Sequence, residues 1–144
     1  MKLNLGCGDN YIEGWINLEV NRDRFKADFY WDLEKGVPFP DNSADEIYAS
    51  HIIEHLSNTI FIMKEIYRVL KPGSIITIRV PQFNTPVAIA DPSHKTFWSF
   101  DKFKYFCKGF TEVGPIPGID FQFEMVNSKI DASEIMVVLK KPNG

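Results

Sequence analysis

The chain has 144 residues, 44% of them hydrophobic and 24% charged, with a net charge of −3, so residues 1–144 are read as one domain large enough to bury a core. The slight acidity and lack of a basic stripe argue against nucleic acid as a partner; the absence of a leader ahead of the first strand and of any apolar run near ~18 residues predicts no membrane partner and a cytoplasmic location. Cys7 and Cys107 lie far apart with no CxxC pair, which predicts reduced thiols in place of a disulfide or a zinc cluster.

Lys2 to Leu5 reads as a short buried strand, followed by a glycine-rich turn at Gly6-Cys7-Gly8 and a second strand from Gly14 to Val20 that carries Glu19 at its end. Only Cys7 to Gly14 separates the two, fewer residues than the dozen or so of a parallel crossover. A non-helical loop is therefore predicted. Before the third strand, Asp28 to Leu33, the segment NRDRFKA leaves room for at most about two helical turns, so one face of the sheet is predicted to be thinly covered. Gly36 to Ser43 is a Pro/Gly-rich loop, and Ala44 to Ser50 alternates into a fourth strand that stops at Ser50-His51.

Ser57-Asn58 offers N-cap side chains for a helix over Thr59 to Leu70, with Ile62, Met63, Ile66, Tyr67 and Leu70 as its apolar stripe. Lys71-Pro72-Gly73-Ser74 has the residues of a type II turn and feeds an apolar strand, Ile75 to Val80, that Pro81 ends. Gln82 to Ser93 is irregular, Thr96 to Lys108 reads as an aromatic-rich amphipathic helix, and Thr111 to Gly118 as a loop. Phe121 to Asn127 and Glu134 to Leu139 read as a hairpin joined by Ser128 to Ser133.

A glycine turn followed by a strand-end carboxylate is how open α/β sheets hold nucleotide-like ligands. Tyr11 stands where a dinucleotide fingerprint places its third glycine, which counts against NAD or FAD. Taken together, NLGCG, then Glu19, then Asp32-Leu33, then Ser50-His51 before EHL, then EIYRVLKPGS running into the strand that ends at Pro81 resemble the class I S-adenosylmethionine-dependent methyltransferases, in particular the methyltransferase-11-like group. The resemblance covers nearly the whole chain, and the order of the motifs is more specific than any one of them.

It implies an α/β, Rossmann-like fold: a mostly parallel seven-stranded sheet with a C-terminal antiparallel hairpin, the helices after the first two strands being shortened or absent. It also implies S-adenosyl-L-methionine as cofactor and a small-molecule O, N or C nucleophile as methyl acceptor. Asn4 stands where the family usually has an acidic residue and would accept from the cofactor ammonium without adding charge. By the same resemblance Gly6, Cys7 and Gly8 would pass the methionine part, and Glu19 would accept both ribose hydroxyls. Asp32 would accept from the adenine amino group, the amide of Leu33 would donate to a ring nitrogen, and Ser50 and His51 would floor the site.

Methyl transfer from a sulfonium is an in-line displacement, for which positioning supplies much of the rate. A general base serves only acceptors that must lose a proton; the catalytic candidates are His51, with an ordinary imidazole pKa near neutrality, and His94 in the DPSHK loop. HIIEH differs from the zincin HExxH in the place of its glutamate, and no third ligand is evident, so no metal is expected. Plainer roles stand beside these: a tight turn for Gly6 and Gly8, a solvated carboxylate for Glu19, capping for Asp32, small-residue packing for Cys7 and loop ordering for Asp91 and His94. His55 reads as a packing residue and the aromatics from Phe97 to Phe106 as core.

The competing function is a catalytically inactive methyltransferase-fold binding or regulatory module, suggested by the short N-terminus, by Asn4 and by the few residues outside the cofactor half. The thinly covered face, with Trp15, Ile16, Phe25, Phe29 and Trp31, predicts a homodimer or another partner that buries it.

Overall fold

The chain's alternating apolar segments become seven strands: β1 (Lys2–Leu5), β2 (Ile16–Glu19), β3 (Phe29–Tyr30), β4 (Ala44–Ser50), β5 (Leu70–Pro81), β6 (Glu124–Ile130) and β7 (Glu134–Lys140). In the computed structural model, which describes residues 1–110 and 116–144, they form one sheet in the order β3-β2-β1-β4-β5-β7-β6. β1 to β5 run parallel to one another, while β7 pairs antiparallel to both β5 and β6. This is the expected mixed sheet with its terminal hairpin. The connections from β1 to β2 and from β2 to β3 contain no helix, as the short spacing predicted. The first is a loop held by the amide of Cys7 on the carbonyl of Leu18, at 2.8 Å.

Side chains of a strand alternate between faces, and register carries one apolar row across the sheet through Leu18, Leu5, Ala49, Ile78 and Val137. Helix α1 (Thr59–Val69) packs on this face with Ile62, Met63, Ile66 and Val69 buried, close to the expected stripe. Of the two offered caps it is Asn58 that serves, accepting from the amide of Phe61. Ser57 instead binds Glu34 through both its amide and its hydroxyl.

Among the described residues no helix buries the opposite face, where Tyr48, Ile75 and Val138 stay half-buried and outside the core. The apolar patch expected there is differently placed. Ile16 is in register with Leu3, and Ile16 and Trp31 pack against the core. Phe29 lies in register with Leu18 and leans on Trp31 and Phe39. Ile16 and Trp31 thus turn to the core, while Trp15 stands beneath the ammonium of Lys2 and Phe25 beneath the guanidinium of Arg24.

Further element boundaries shift, among them the third strand, which shortens to Phe29–Tyr30, and the first hairpin strand, which moves to Glu124–Ile130. Lys71 to Ser74 lies inside β5 instead of forming a turn: pairing steps from Ala44 with Leu70 to Glu46 with Ile75, and Gly73, at φ 84°, absorbs the extra residues as a bulge while its amide donates to Lys141. The helix expected over Thr96 to Lys108 contracts to α3 (Phe100–Lys104). Its flanks are extended, because Trp98 bridges to Gln82 and Cys107 to Phe123. The hairpin turn tightens to Asp131-Ala132-Ser133, whose Asp131 carboxylate accepts from the amides of Ser133 and Glu134. Within the irregular stretch a short helix α2 (Pro86–Ala90) forms behind the cap of Thr85. The loop read from Thr111 to Gly118 lies largely outside the described residues.

Candidate functional site

The parallel strands β1 to β4 all end at one edge of the sheet, and the turns that leave them build a cleft of ≈ 220 Å³ lined by Gly6, Glu19, Asp32 and Leu33, with Trp31, Ile52 and Leu56 as apolar walls. The glycine turn after β1, the carboxylate ending β2 and the turn after β3 thus meet. Gly6 sits at φ 62°, a left-handed conformation that favours glycine, and a methyl group there would collide with the side chain of Ile52. Gly8, at φ 48°, opens onto free space and donates its amide to Oε2 of Glu19 at 2.9 Å.

Oε1 of Glu19 accepts from the amides of Val20 and Asn21 at 3.0 and 3.1 Å. A carboxylate offers about four acceptor positions, so three are filled from the backbone and one on Oε2 is left open among the described residues. Asp32 caps a 3₁₀ turn, Leu33–Lys35, through Oδ1, which accepts from the amide of Glu34 at 2.9 Å. Both the capping role and the place at the cleft therefore belong to this residue. Its second oxygen makes no hydrogen bond among the described residues.

Other candidates lie away from the cleft lining. Asn4 is buried and spends its amide NH₂ on the carbonyl of Asn10 and on Oδ1 of Asn17, at 2.7 and 2.8 Å. It ties the first loop to β2. Cys7 is buried, its thiol turned to the carbonyl of Lys26, and burial, then the charge of Glu19, pushes that thiol up. Ser50 is half-buried beside Arg79 in the β4–β5 ladder.

His51 follows β4 at φ 54°, a strained value for a non-glycine residue. Its Nδ1 lies 3.5 Å from Oε2 of the buried Glu54 and its Nε2 lies 3.8 Å from Glu134. The Glu54 carboxylate holds this imidazole above its usual range, which corrects the expectation of an ordinary value. A raised pKa makes His51 a poorer proton acceptor at neutral pH. His94 is turned inward, its side chain 6% exposed, with Nδ1 2.8 Å from the carbonyl of Ala88. Neither it nor His51 lines the cleft.

Several lining residues carried no sequence signal. Glu34 spans the cleft mouth between Ser57 and the ammonium of Lys95, 3.5 Å away. Burial pushes its carboxyl up, but the two Ser57 bonds and Lys95 outweigh that and hold it below the usual range. His55, read as a packing residue, also lines the cleft. The glycine turn and Glu19 were found because the motif is local in sequence; Glu34, His55 and Lys95 assemble from separate segments. A broader cleft of ≈ 380 Å³ lies at the opposite edge, near Tyr67, Asp120 and Pro142, where no glycine turn or strand-end carboxylate gathers.

Comparison with known proteins bears on this edge. The family model described as "Methyltransferase domain" matches residues 3–78, which hold β1 to β4, α1 and most of β5. Cycloartenol-C-24-methyltransferase 1 of Oryza sativa subsp. japonica is 41% identical over 81 residues, 51% of this chain and 22% of the relative. The chain thus spans about a fifth of that protein. Among solved structures, a SAM-dependent methyltransferase from Methanosarcina mazei superposes with a TM-score of 0.72 at 14% identity, covering 99% of this chain and 92% of that one. The [4+2]-cyclase SpnF superposes with a TM-score of 0.71 at 14% identity, covering 99% and 74%. At such identities the structures speak for the fold.

Proposed function

The chain belongs to the methyltransferase-domain family, and from that premise we propose that it binds S-adenosyl-L-methionine in the cleft and transfers the methyl group to a small-molecule oxygen, nitrogen or carbon nucleophile. The observation that most supports this reading is the meeting of Gly6, Glu19, Asp32 and Leu33 in one cleft. Its volume falls below the roughly 300–1,000 Å³ of sites that enclose whole drug-sized ligands, and so suits the nucleoside end alone. The donor set fits that end: carboxylates for hydroxyl and amino donors, and apolar walls for a flat ring.

When bound, the cofactor would supply a methyl carbon activated by a positively charged sulfur. Glu19 would offer one ribose hydroxyl the open position on Oε2, and the second hydroxyl would take over the longer 3.1 Å position held by the amide of Asn21. Oδ2 of Asp32 would accept from the adenine amino group while Oδ1 keeps its cap on Glu34. The open space above Gly8 would let the chain backbone run past the methionine end. Holding nucleophile and methyl carbon in line is then the main requirement.

A second reading, a fold-conserving module without methyl transfer, is favoured by one observation: Asn4, which stands where the family usually has an acidic residue, is buried and spends its amide on Asn10 and Asn17. The cyclase among the fold neighbours is named for an activity other than methyl transfer. Calorimetry with S-adenosylmethionine and S-adenosylhomocysteine tests the cleft, with one-to-one binding expected and no binding at millimolar ligand overturning both readings. Methyl transfer to a panel of small acceptors, with a carbon acceptor included because the rice relative is named for C-24 of cycloartenol, separates them. Turnover supports the enzyme, and binding without turnover supports the module.

A further inference from the structure

We propose that Glu54, His55 and His94 form a binding site for a divalent first-row metal ion of the zinc type, beside the cofactor cleft and independent of the reading given to that cleft. In the sequence the adjacent pair Glu54-His55 lacks a further ligand. The fold supplies it: His94, from the segment after α2, packs its ring edge-on to His55 at 4.7 Å between centroids. One ligand atom from each of the three residues lies within 4.8 Å of the others. A tetrahedral zinc ion bonds nitrogen and oxygen at about 2.0–2.2 Å, so side-chain movements on the order of an ångström close the set.

Two independent observations point to a cation. Glu54 is 1% exposed, and neither of its carboxylate oxygens has a hydrogen-bond partner among the described residues. The imidazole of His51 pairs with Oε2 alone, at 3.5 Å, too far for a good hydrogen bond, and no ion pair among the described residues reaches Oε1. A buried carboxylate left so is costly unless a cation or a proton meets it. The second observation concerns the histidines. Nδ1 of His94 stands 2.8 Å from the carbonyl of Ala88, and Nδ1 of His55 stands 3.2 Å from the carbonyl of Ser93. A carbonyl oxygen can only accept, so these contacts call for the Nδ1–H tautomer in each ring, which leaves the Nε2 lone pair for a metal. That is the supporting arrangement typical of metal-binding histidines.

The two segments are also fastened together. The amides of Lys95 and Thr96 both donate to the carbonyl of Glu54, at 2.8 and 3.0 Å, so the ligands are held across a fixed junction. Oδ2 of Asp91, 3.5 Å from Nε2 of His94, adds negative charge beside the ion. Two histidines and one carboxylate are the donor set of open zinc sites, which keep a position for an oxygen ligand. His55 belongs both to this set and to the cleft lining, so the ion would stand beside the cleft, with a water as its oxygen ligand.

The test is titration of the chelator-stripped protein with zinc by calorimetry and with cobalt(II) by visible absorption. One-to-one zinc binding at micromolar or lower concentration is expected, with a cobalt d–d band of four- or five-coordinate intensity. His94→Ala and Glu54→Gln are each expected to weaken zinc by more than the 10–100-fold typical of supporting residues alone, with circular dichroism showing whether each variant folds. The wild-type cobalt spectrum decides the matter if Glu54→Gln does not fold. No band, a near-ultraviolet band of thiolate ligation by Cys7 or Cys107, or unchanged zinc affinity in folded His94→Ala would each overturn the site.

Discussion

Glu19 and Gly6 show how much one side chain can fix at this sheet edge. Because the Glu19 carboxylate gathers the amides of Gly8, Val20 and Asn21, it shapes the glycine turn as well as facing the cleft. Removing a charged acceptor from a ligand typically costs about 1.5–3 kcal/mol. Glu19→Ala is therefore expected to weaken S-adenosylhomocysteine by roughly 10–100-fold in calorimetry, with Glu19→Gln losing less because one acceptor oxygen remains. Wild-type affinity in Glu19→Ala would remove Glu19 from the site. Gly6→Ala forces a side chain into φ 62° against Ile52, a strain of about 1–3 kcal/mol. A lowered urea midpoint together with loss of binding is the expected result. Both residues were legible in the sequence because glycine turn and strand-end carboxylate sit in one short stretch. Asn4 was legible only as a position: nothing local announced that Asn17 would claim its amide. His94 and Lys95 could not be placed at all without the backbone bonds that bring their segment to Glu54.

At the level of elements, the parts read correctly are those whose signal is periodic. The stripe of α1 and its Asn58 cap are local facts, and Asn58→Ala is expected to cost about 1 kcal/mol by loss of the bond to the amide of Phe61. Denaturant unfolding measures it, and Asn58→Gly should cost only a few tenths. The stretch from Thr96 to Lys108 was misread because aromatic density at helical spacing does not reveal pairing with distant strands. Trp98 and Cys107 are drawn into bridges with Gln82 and Phe123, leaving α3 a single short helix behind the cap of Ser99. The Gly36 to Ser43 loop illustrates the same limit from the other side. Its composition showed a loop, but not that Arg68 of α1 would fasten it through the carbonyls of Val37 and Phe39 and the carboxylate of Asp41. Glu65 completes the staple, accepting from Arg68 and from the amide of Val37. Arg68→Met strips several partly buried acceptors of their donor and is expected to lower stability by about 1–3 kcal/mol, read as a lower urea midpoint with unchanged helical signal.

The whole molecule binds its charge pattern into a pH window. Asp45 is held at about 2 by the ammonium of Lys71 and then by the chain's amino group, and Arg68 holds Glu65 below the usual carboxylate range. Tyr11 first, then Asn17, holds Asp28 there as well. A depressed carboxyl gives stability that is present above its unfolded pKa and lost as pH falls through the folded value, because the unfolded chain then binds more protons. For Asp45 the window runs from its ordinary 3.8 down to about 2. The alkaline side has the opposite sign. Burial pushes the thiol of Cys107 from 9.0 to about 12, and the bond to Asp28 raises Tyr11 from 10.0 to about 12. Their neutral forms stabilise the fold below the unfolded pKa, and that stability disappears as pH climbs through the folded one. The urea midpoint is therefore expected to decline below about pH 4, to lose a step as pH rises past the ordinary imidazole range and His51, held above that range by Glu54, gives up its proton, and from the plateau beyond that step to decline again above about pH 9. Cys107→Ala is the decisive variant: it lowers the plateau by leaving a small cavity, yet it flattens the part of the alkaline limb that begins near pH 9. An alkaline limb of unchanged onset and slope in that variant would show that the buried thiol is not what titrates.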